Sequence, residues 1–281
     1  MSAVTRFAPS PTGPLHLGHA FSALTAFARA EATGGMMLLR IEDLDQSRAR
    51  PEWEALIAED LAWLGLTWPR PVLRQSERGP AYEAALARLW TAGLLYPCTC
   101  ARRDIEAAAG APQEGAPLHG PDGLIYPGTC RADATGPMPA DGALRLNMRK
   151  AALITDYITF SEMGRAPLGP VTVAPETLVG GIGDVVLRRR DGAAAYHLAV
   201  VVDDAAQGIT EVVRGQDLFE ATAIHVVLQR LLGLPTPAYH HHRLIRDDHG
   251  TRLAKRDDAR ALSTLRAEGW TPPDVRRAVG L

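Results

Sequence analysis

The sequence predicts an α/β fold built on a parallel sheet, and three observations predict it. A strand, a proline-rich loop, a helix and a second strand follow one another within residues 5–41, and two well-marked helices come next. Apolar and helical runs then return between residues 184 and 233. A strand–helix–strand crossover of this length joins parallel strands and is almost always right-handed.

The first strand is Thr5-Arg6-Phe7-Ala8, and Pro9, Pro11, Gly13 and Pro14 break it into a rigid loop. Leu17, Phe21, Leu24 and Ala28 then recur at helical spacing, and Gly34-Gly35 supplies the left-handed stop. Met36 to Ile41 reads as a buried parallel strand. Pro51 opens the next helix, with Trp53, Leu56, Ile57, Leu61 and Leu64 on one face and Gly65 at its end. A third helix begins after Ser76 and runs through Tyr82, Leu86 and Leu89 to Gly93.

From Pro97 to Arg131 the periodicity lapses. All three cysteines, five glycines and five prolines fall in this stretch, which reads as a small inserted module with one short helix near Arg103 to Ala109 and a flexible loop over 110–123. Beyond it, Asp184 to Arg189 and Ala194 to Val202 flank Asp191-Gly192, a turn signal that predicts a hairpin. Val212-Val213 ends another short strand, and Leu218 to Leu232 reads as a helix stopped by Gly233.

Composition excludes several classes. With 281 residues, 46% of them hydrophobic and 22% charged, the chain can bury a full core and carries no large disordered part. A net charge of -2 lacks the overall footprint of a general nucleic-acid binder, although a local basic face stays open. No apolar run approaches the ~20 residues of a membrane span, so no membrane partner and a cytoplasmic location are expected. A monomer is the expectation for its assembly, which the sequence itself does not give. Three cysteines cannot make a complete disulfide framework, which leaves metal binding or free thiols.

The chemistry-bearing pattern is His16-Leu17-Gly18-His19 at the entry to the first helix. A helix N-terminus offers unpaired N–H groups and partial positive charge, which suit a phosphate. Two imidazole donors there would strengthen as charge builds on an α-phosphate, each bond contributing about 1.5–3 kcal/mol. Two histidines at a helix start are otherwise an ordinary surface feature. Here they follow a strand and a Pro/Gly loop, and Arg252-Leu253-Ala254-Lys255-Arg256, alone readable as a solvated basic turn, answers them near the C-terminus.

The two signatures together resemble the H-I-G-H and K-M-S-K-S motifs of class I aminoacyl-tRNA synthetases, which implies a Rossmann-type catalytic domain. Arg6-Phe7-Ala8-Pro9-Ser10-Pro11-Thr12-Gly13 and Arg40-Ile41-Glu42-Asp43 resemble the glutamyl branch, whereas the glutaminyl branch carries P-P-E-P-N-G in that loop. The resemblance implies ATP binding by His16, Gly18, His19 and Lys255, with His16, His19 and Lys255 catalytic and Mg2+ accompanying the nucleotide. Arg252 and Ala254 stand where the family has lysine and serine.

A site for glutamate must pair two carboxylates and one ammonium, and so needs arginine and an acid. The crossover brings Arg6 and Glu42 to the carboxyl end of one sheet, where such folds bind ligands. A structural ion pair between them is the plain alternative. The resemblance implies glutamate binding by Arg6, Phe7, Ala8, Pro9, Ser10, Glu42, Tyr196 and Arg214. Core packing is the ordinary alternative for Tyr196. Arginine's planar fork suits a carboxylate bidentately.

Cys98, Cys100 and Cys130 supply three soft ligands, one short of tetrahedral Zn2+, with three unrelated thiols as the alternative. The resemblance implies Tyr126 as the fourth ligand of one structural zinc, and His119 is a chemically more ordinary donor; both stay open. The division expected is 1–96 as the first half of the catalytic domain, 97–131 as the zinc-binding insertion, 132–240 as the second half and 241–281 as the lysine-motif loop and a short helical segment.

After Lys255 only 26 residues remain, enough for one or two short helices, so the chain resembles the catalytic half of the glutamyl enzymes. That implies ATP-dependent, tRNA-independent activation of L-glutamate to glutamyl-adenylate, then transfer to queuosine at the wobble position of tRNA(Asp). The alternatives are charging of the 3′ end of tRNA(Glu), a non-catalytic regulator that binds an amino acid or tRNA, and a nucleotidylyltransferase sharing the histidine motif.

Overall fold

The computed structural model describes residues 2–109, 118–133, 135–245 and 260–281. Strand β1 (Val4–Phe7) pairs in parallel with β2 (Met36–Ile41), and β2 with β3 (Leu73–Arg74). The crossover helix α1 (Leu17–Ala32) packs on β1, tied by the Thr5 hydroxyl donating to Ala26 O at 2.8 Å. The return is tight because Gly35 passes over β1's N-terminal end: a Cβ there would sit 1.9 Å from Ala3 O.

Helices α2 (Pro51–Trp63) and α3 (Gly79–Thr91) match the sequence periodicity. Strand β4 (Leu95–Cys98) leads into helix α4 (Arg102–Ala109) and the short hairpin of β5 (His119–Gly120) and β6 (Gly123–Leu124). The flexible loop expected over 110–123 is therefore corrected in part. Residues 110–117 lie outside the described residues, but Pro121-Asp122 turns a paired hairpin, as Pro-Asp-Gly chemistry favours.

Strand β7 (Ala143–Leu146) pairs antiparallel with β4, and helix α5 (Met148–Thr155) follows. Strands β8 (Ile158–Glu162) and β9 (Gly169–Val173) form an antiparallel pair, and the single turn α6 (Pro175–Thr177) runs on into a π-helical turn over Leu178–Ile182. Strand β10 (Val186–Arg188) completes an antiparallel sheet in the order β10-β7-β4.

The hairpin expected on either side of Asp191-Gly192 is half right. Gly192 turns the chain at φ 87° and Arg189 N–H donates to Ala193 O at 2.8 Å, but the returning arm makes one bridge, Ala194 to Arg188. It then winds into helix α7 (Tyr196–Ala206). That helix is packed by both α3 and helix α8 (Thr222–Leu231) and carries apolar residues on most sides, so its period of 3.6 does not show. Helix α8 itself starts later than the Leu218 expected. Leu218 O accepts from Arg214 Nη2 at 3.2 Å and from the Thr222 hydroxyl at 3.4 Å, while Gln216–Leu218 forms a separate 3-10 turn.

Strands β11 (Glu211–Gly215), β12 (Ala238–His242) and β8 run parallel in the order β11-β12-β8-β9. Strand β1 lies along β11, with Thr210 N–H donating to Val4 O at 3.0 Å and Arg6 Nη1 to Val213 O at 3.2 Å. The strands thus run β3-β2-β1 outward on one side and β11-β12-β8 on the other. The seam between β1 and β11 is the switch point at whose carboxyl end such sheets bind ligands.

Helices α9 (Leu262–Ala267) and α10 (Pro272–Ala278) follow the lysine motif, where one or two short helices are expected. Leu262, Leu265, Val275 and Val279 join Phe21, Leu24, Ile57 and Leu61 in one apolar core. A fully buried leucine contributes about 1.5–3 kcal/mol, so this face anchors the C-terminal segment firmly to α1 and α2. No helix among the described residues is long and apolar enough to cross a membrane.

Candidate active site

His16 is the N-cap of α1, in extended conformation at φ -129°. Its Nδ1 accepts from Gly18 N–H at 3.1 Å, and His16 N–H donates to His19 Nδ1 at 3.2 Å, a reciprocal capping box made of imidazoles. Because both Nδ1 atoms accept, each neutral ring carries its proton on Nε2. The rings lie 3.8 Å apart by centroid. A Cβ at Gly18 would stand 3.0 Å from His16 Cε1, so any side chain there would press on the capping imidazole.

The seam gathers the other expected residues. Arg6, Phe7, Ala8, Pro9, Ser10, His16, Gly18, His19, Glu42, Tyr196 and Arg214 all line one cavity of about 520 Å³. Pro9 O accepts from Glu42 N–H at 3.0 Å, pinning the loop after β1 to the end of β2. Lys255 and the rest of 252–256 lie outside the described residues. Their flanks reach the site from both sides: Leu244 and Ile245 line the cavity, and Ala261 bridges His16.

Arg6 and Glu42 are not each other's partners. Arg6 Nε donates to Asp204 Oδ1 at 3.1 Å, whereas Glu42 accepts from Arg40 Nη2 at 3.1 Å. Arg40, fully buried, also donates to Asp204 Oδ1 at 2.6 Å and to Gln207 at 3.0 Å. Burial raises the Glu42 carboxyl above its ordinary value, only partly offset by Arg40 and Arg6. Burial would also raise Asp204, but Arg6 and Arg40 outweigh it and hold that carboxyl down. Tyr196, at the start of α7, is partly buried on the cavity wall, and burial together with the Glu42 charge raises its hydroxyl.

The two cavity arginines differ in what they leave for a ligand. Arg214 spends Nε on His241 Nε2 at 3.2 Å, one Nη1 hydrogen on His225 Nδ1 at 3.0 Å, and both Nη2 hydrogens on Leu218 O at 3.2 Å and Thr222 Oγ1 at 2.7 Å. One N–H of its five remains among the described residues. Among the described residues Arg6 keeps three, one on Nη1 and two on Nη2, because its Nε and one Nη1 hydrogen are the ones engaged there. The bidentate fork expected of arginine is available at Arg6 and not at Arg214.

Sequence reasoning missed the residues that hold these groups. Asp203 and Asp204, adjacent in an otherwise apolar helix, serve different partners. Asp204 serves the cavity, while Asp203 accepts from Gln75 at 3.0 Å, Arg78 at 3.1 Å and Tyr82 at 2.6 Å. Behind Arg214, His241 passes the Nε contact on to Glu162 through its Nδ1. Burial, then the Arg214 charge, lowers His241 to about 4, although Glu162 opposes the fall. The available signals were a charge inside an apolar strand at Arg40, paired acids inside an apolar helix, and three successive histidines over 240–242.

In the cysteine module, Cys98, Cys100 and Cys130 place their sulfurs within 4.8 Å of one another, and the first two lie 3.6 and 3.3 Å from the Tyr126 hydroxyl. Tetrahedral zinc with bonds of about 2.3 Å would set sulfurs about 3.8 Å apart, so the donor set fits a metal ion. Burial pushes the Cys130 thiol up, but hydrogen bonds from Tyr126 and Thr99 carry it down to about 6, towards the thiolate a metal needs. Arg145 lies 3.9 Å over the Tyr126 ring and donates to Cys98 Sγ at 3.3 Å. His119 sits on the exposed hairpin strand and does not join the group.

The model for tRNA synthetases class I (E and Q), catalytic domain, matches residues 2–281. A glutamyl-Q tRNA(Asp) synthetase of Rhodobacter capsulatus is 63% identical over 99% of this chain and 100% of its own, and one of Nocardia farcinica is 47% identical over 96% and 81%. A crystal structure of a glutamate tRNA ligase from Elizabethkingia meningosepticum in complex with its amino acid superposes with a TM-score of 0.75 at 26% identity. The match covers 97% of this chain, which spans about three-fifths of that ligase, 59% of its length. By its sequence and its fold, the chain belongs to the class I tRNA synthetases of the glutamate and glutamine branch, matching their catalytic domain and similar over its length to glutamyl-Q tRNA(Asp) synthetases.

Proposed function

We propose that the chain activates L-glutamate with ATP in the absence of tRNA and transfers the glutamyl group to queuosine at the wobble position of tRNA(Asp). In the first step a glutamate carboxylate oxygen attacks the α-phosphorus, the bond to the bridging oxygen breaks, and pyrophosphate leaves. In the second, a ring hydroxyl of queuosine attacks the acyl carbon, loses its proton and releases AMP. The observation that carries this reading is one cavity joining a histidine-capped helix N-terminus to a pocket of two arginines and a glutamate.

His16 and His19 aim Nε2–H donors at developing phosphate charge, and the α1 N-terminus adds its partial positive charge. Arg6 supplies the bidentate partner for one carboxylate, Arg214 a single N–H for the other, and Glu42 faces the ammonium. Glutamine in place of glutamate would leave buried arginine charge partly unpaired, a penalty of roughly 2–5 kcal/mol, which favours the acid. Lys255 is carried over as an ATP-phosphate contact by motif alone. Mg2+ bound with ATP would supply neutralisation of the polyphosphate. Cys98, Cys100, Cys130 and Tyr126 would hold one structural Zn2+ with every position filled by protein.

Glutamate-dependent exchange of pyrophosphate into ATP without tRNA tests the first step. Radioactive glutamate offered with tRNA(Asp) carrying or lacking queuosine tests the second. Label on the queuosine-containing tRNA alone is expected. Equal labelling of both, or labelling of tRNA(Glu), would instead assign the chain to 3′-end charging.

A further inference from the structure

The histidines behind Arg214 form a directed chain that leaves the pocket and ends on the cysteine module. Guanidinium has no acceptor, so His225 Nδ1, 3.0 Å from Arg214 Nη1, must accept, and the His225 proton therefore sits on Nε2. That Nε2 lies 3.0 Å from His197 Nδ1, which must accept in turn. The His197 proton is then on Nε2, 3.1 Å from Asp122 Oδ1. Asp122 is in the turn of the β5–β6 hairpin, and its side chain is 44% exposed, whereas His197 and His225 are buried. Only neutral imidazoles satisfy every donor in this chain. Burial, then the Arg214 charge, keeps His225 well below its ordinary value, which agrees.

We propose that Asp122, His197 and His225 are positioning residues that hold Arg214 in the orientation that presents its one remaining N–H to the side-chain carboxylate of the amino-acid substrate. The hairpin of the cysteine module thereby sets affinity for the amino acid from outside the pocket. Four protein bonds fix the guanidinium, and the Nη1 bond to His225 is the one adjacent to the N–H left for the ligand. Without it the planar guanidinium keeps the three bonds from Nε and Nη2 and is free to tilt at its Nη1 end, the end that carries the N–H left for the ligand. The role rests on the glutamate-activating reading above.

The test is glutamate-dependent pyrophosphate exchange, with KM measured separately for glutamate and ATP. Asp122→Ala removes only the terminal acceptor of the chain and should raise KM for glutamate about two- to tenfold, the worth of one hydrogen bond. His225→Ala strips Arg214 directly and should raise it about ten- to hundredfold, with KM for ATP within about twofold of wild type in both. His225→Asn, whose amide oxygen can stand near the lost Nδ1, should recover most of the His225→Ala loss. Unchanged KM for glutamate in Asp122→Ala, or KM for ATP rising in step with it, overturns the proposal.

A wild type without glutamate-dependent exchange would strike the function itself, and the chain is then judged by nitrogen-15 spectra of its histidines. Nε2–H tautomers at His197 and His225, with His225 shifted by Asp122→Ala, support it; an Nδ1–H tautomer at His225 overturns it.

Discussion

Replacing Asp204 by asparagine removes the carboxylate that ties Arg6 to Arg40 beside the pocket. Its Oδ1 is shared by Arg6 Nε at 3.1 Å and Arg40 Nη1 at 2.6 Å, with side chains 8%, 6% and 0% exposed respectively. Asp204→Asn keeps the shape and an acceptor oxygen but, among the described residues, leaves buried Arg40 with Glu42 as its remaining ion pair and takes from buried Arg6 the ion pair it makes. Removing one partner of a buried pair costs about 3–5 kcal/mol. The surviving Arg40–Glu42 contact and the Asn oxygen place the expectation near the lower figure, about 3 kcal/mol. For a chain of this size that is a fall in Tm of about 5 °C.

The pH dependence has a definite sign. The folded-state pKa of Asp204 lies below its unfolded value, so the contribution is present above about pH 4 and is lost as pH falls through the folded value. The gap between wild type and variant in urea unfolding should be constant from about pH 5 to 8 and close under more acidic conditions. A gap under about 1 kcal/mol at pH 7 would refute the reasoning, since an uncompensated buried guanidinium cannot be that cheap.

Three further outcomes follow from other parts of the molecule. His19→Ala should lower kcat of pyrophosphate exchange about ten- to hundredfold with KM for glutamate little changed, and should lower stability by about 1 kcal/mol through the lost cap; a normal kcat would remove His19 from the phosphate side. Tyr126→Phe should release metal from zinc-loaded protein at lower chelator concentration than wild type, measured by metal analysis after dialysis, and equal retention would point to a ligand outside the cysteine cluster. Asp60, fully buried on α2 with neither oxygen hydrogen-bonded among the described residues and Arg266 paired with it at 3.7 Å, is raised by burial to about 6. Its folded pKa exceeds the unfolded one, so ionisation costs stability as pH rises from about 4 to about 6, by about 3 kcal/mol in all. Asp60→Asn should therefore gain stability relative to wild type above pH 6 and lose that advantage near pH 4, a crossover readable in urea titrations at the two pH values.

What the sequence determined by itself was local. Pro and Gly in the first loop, the helical spacing after His16 and the apolar strand after Gly35 are short-range signals, and they sufficed for the crossover and its histidine cap. The residues expected to bind glutamate converge on one cavity because strand ends at a sheet's switch point must do so once the order of strands is set. Tertiary structure alone decided the rest. Helix α7 looked like a strand because a helix packed from several sides loses its polar face, and with it the period that identifies it. Which acid serves which arginine was equally illegible: Arg6 takes Asp204 from 198 positions away, while Arg40 takes both Asp204 and its near neighbour Glu42. Such choices depend on angles and burial that exist only after the two halves of the sheet meet. The single N–H left on Arg214, and the histidines that hold it, are settled by that same meeting.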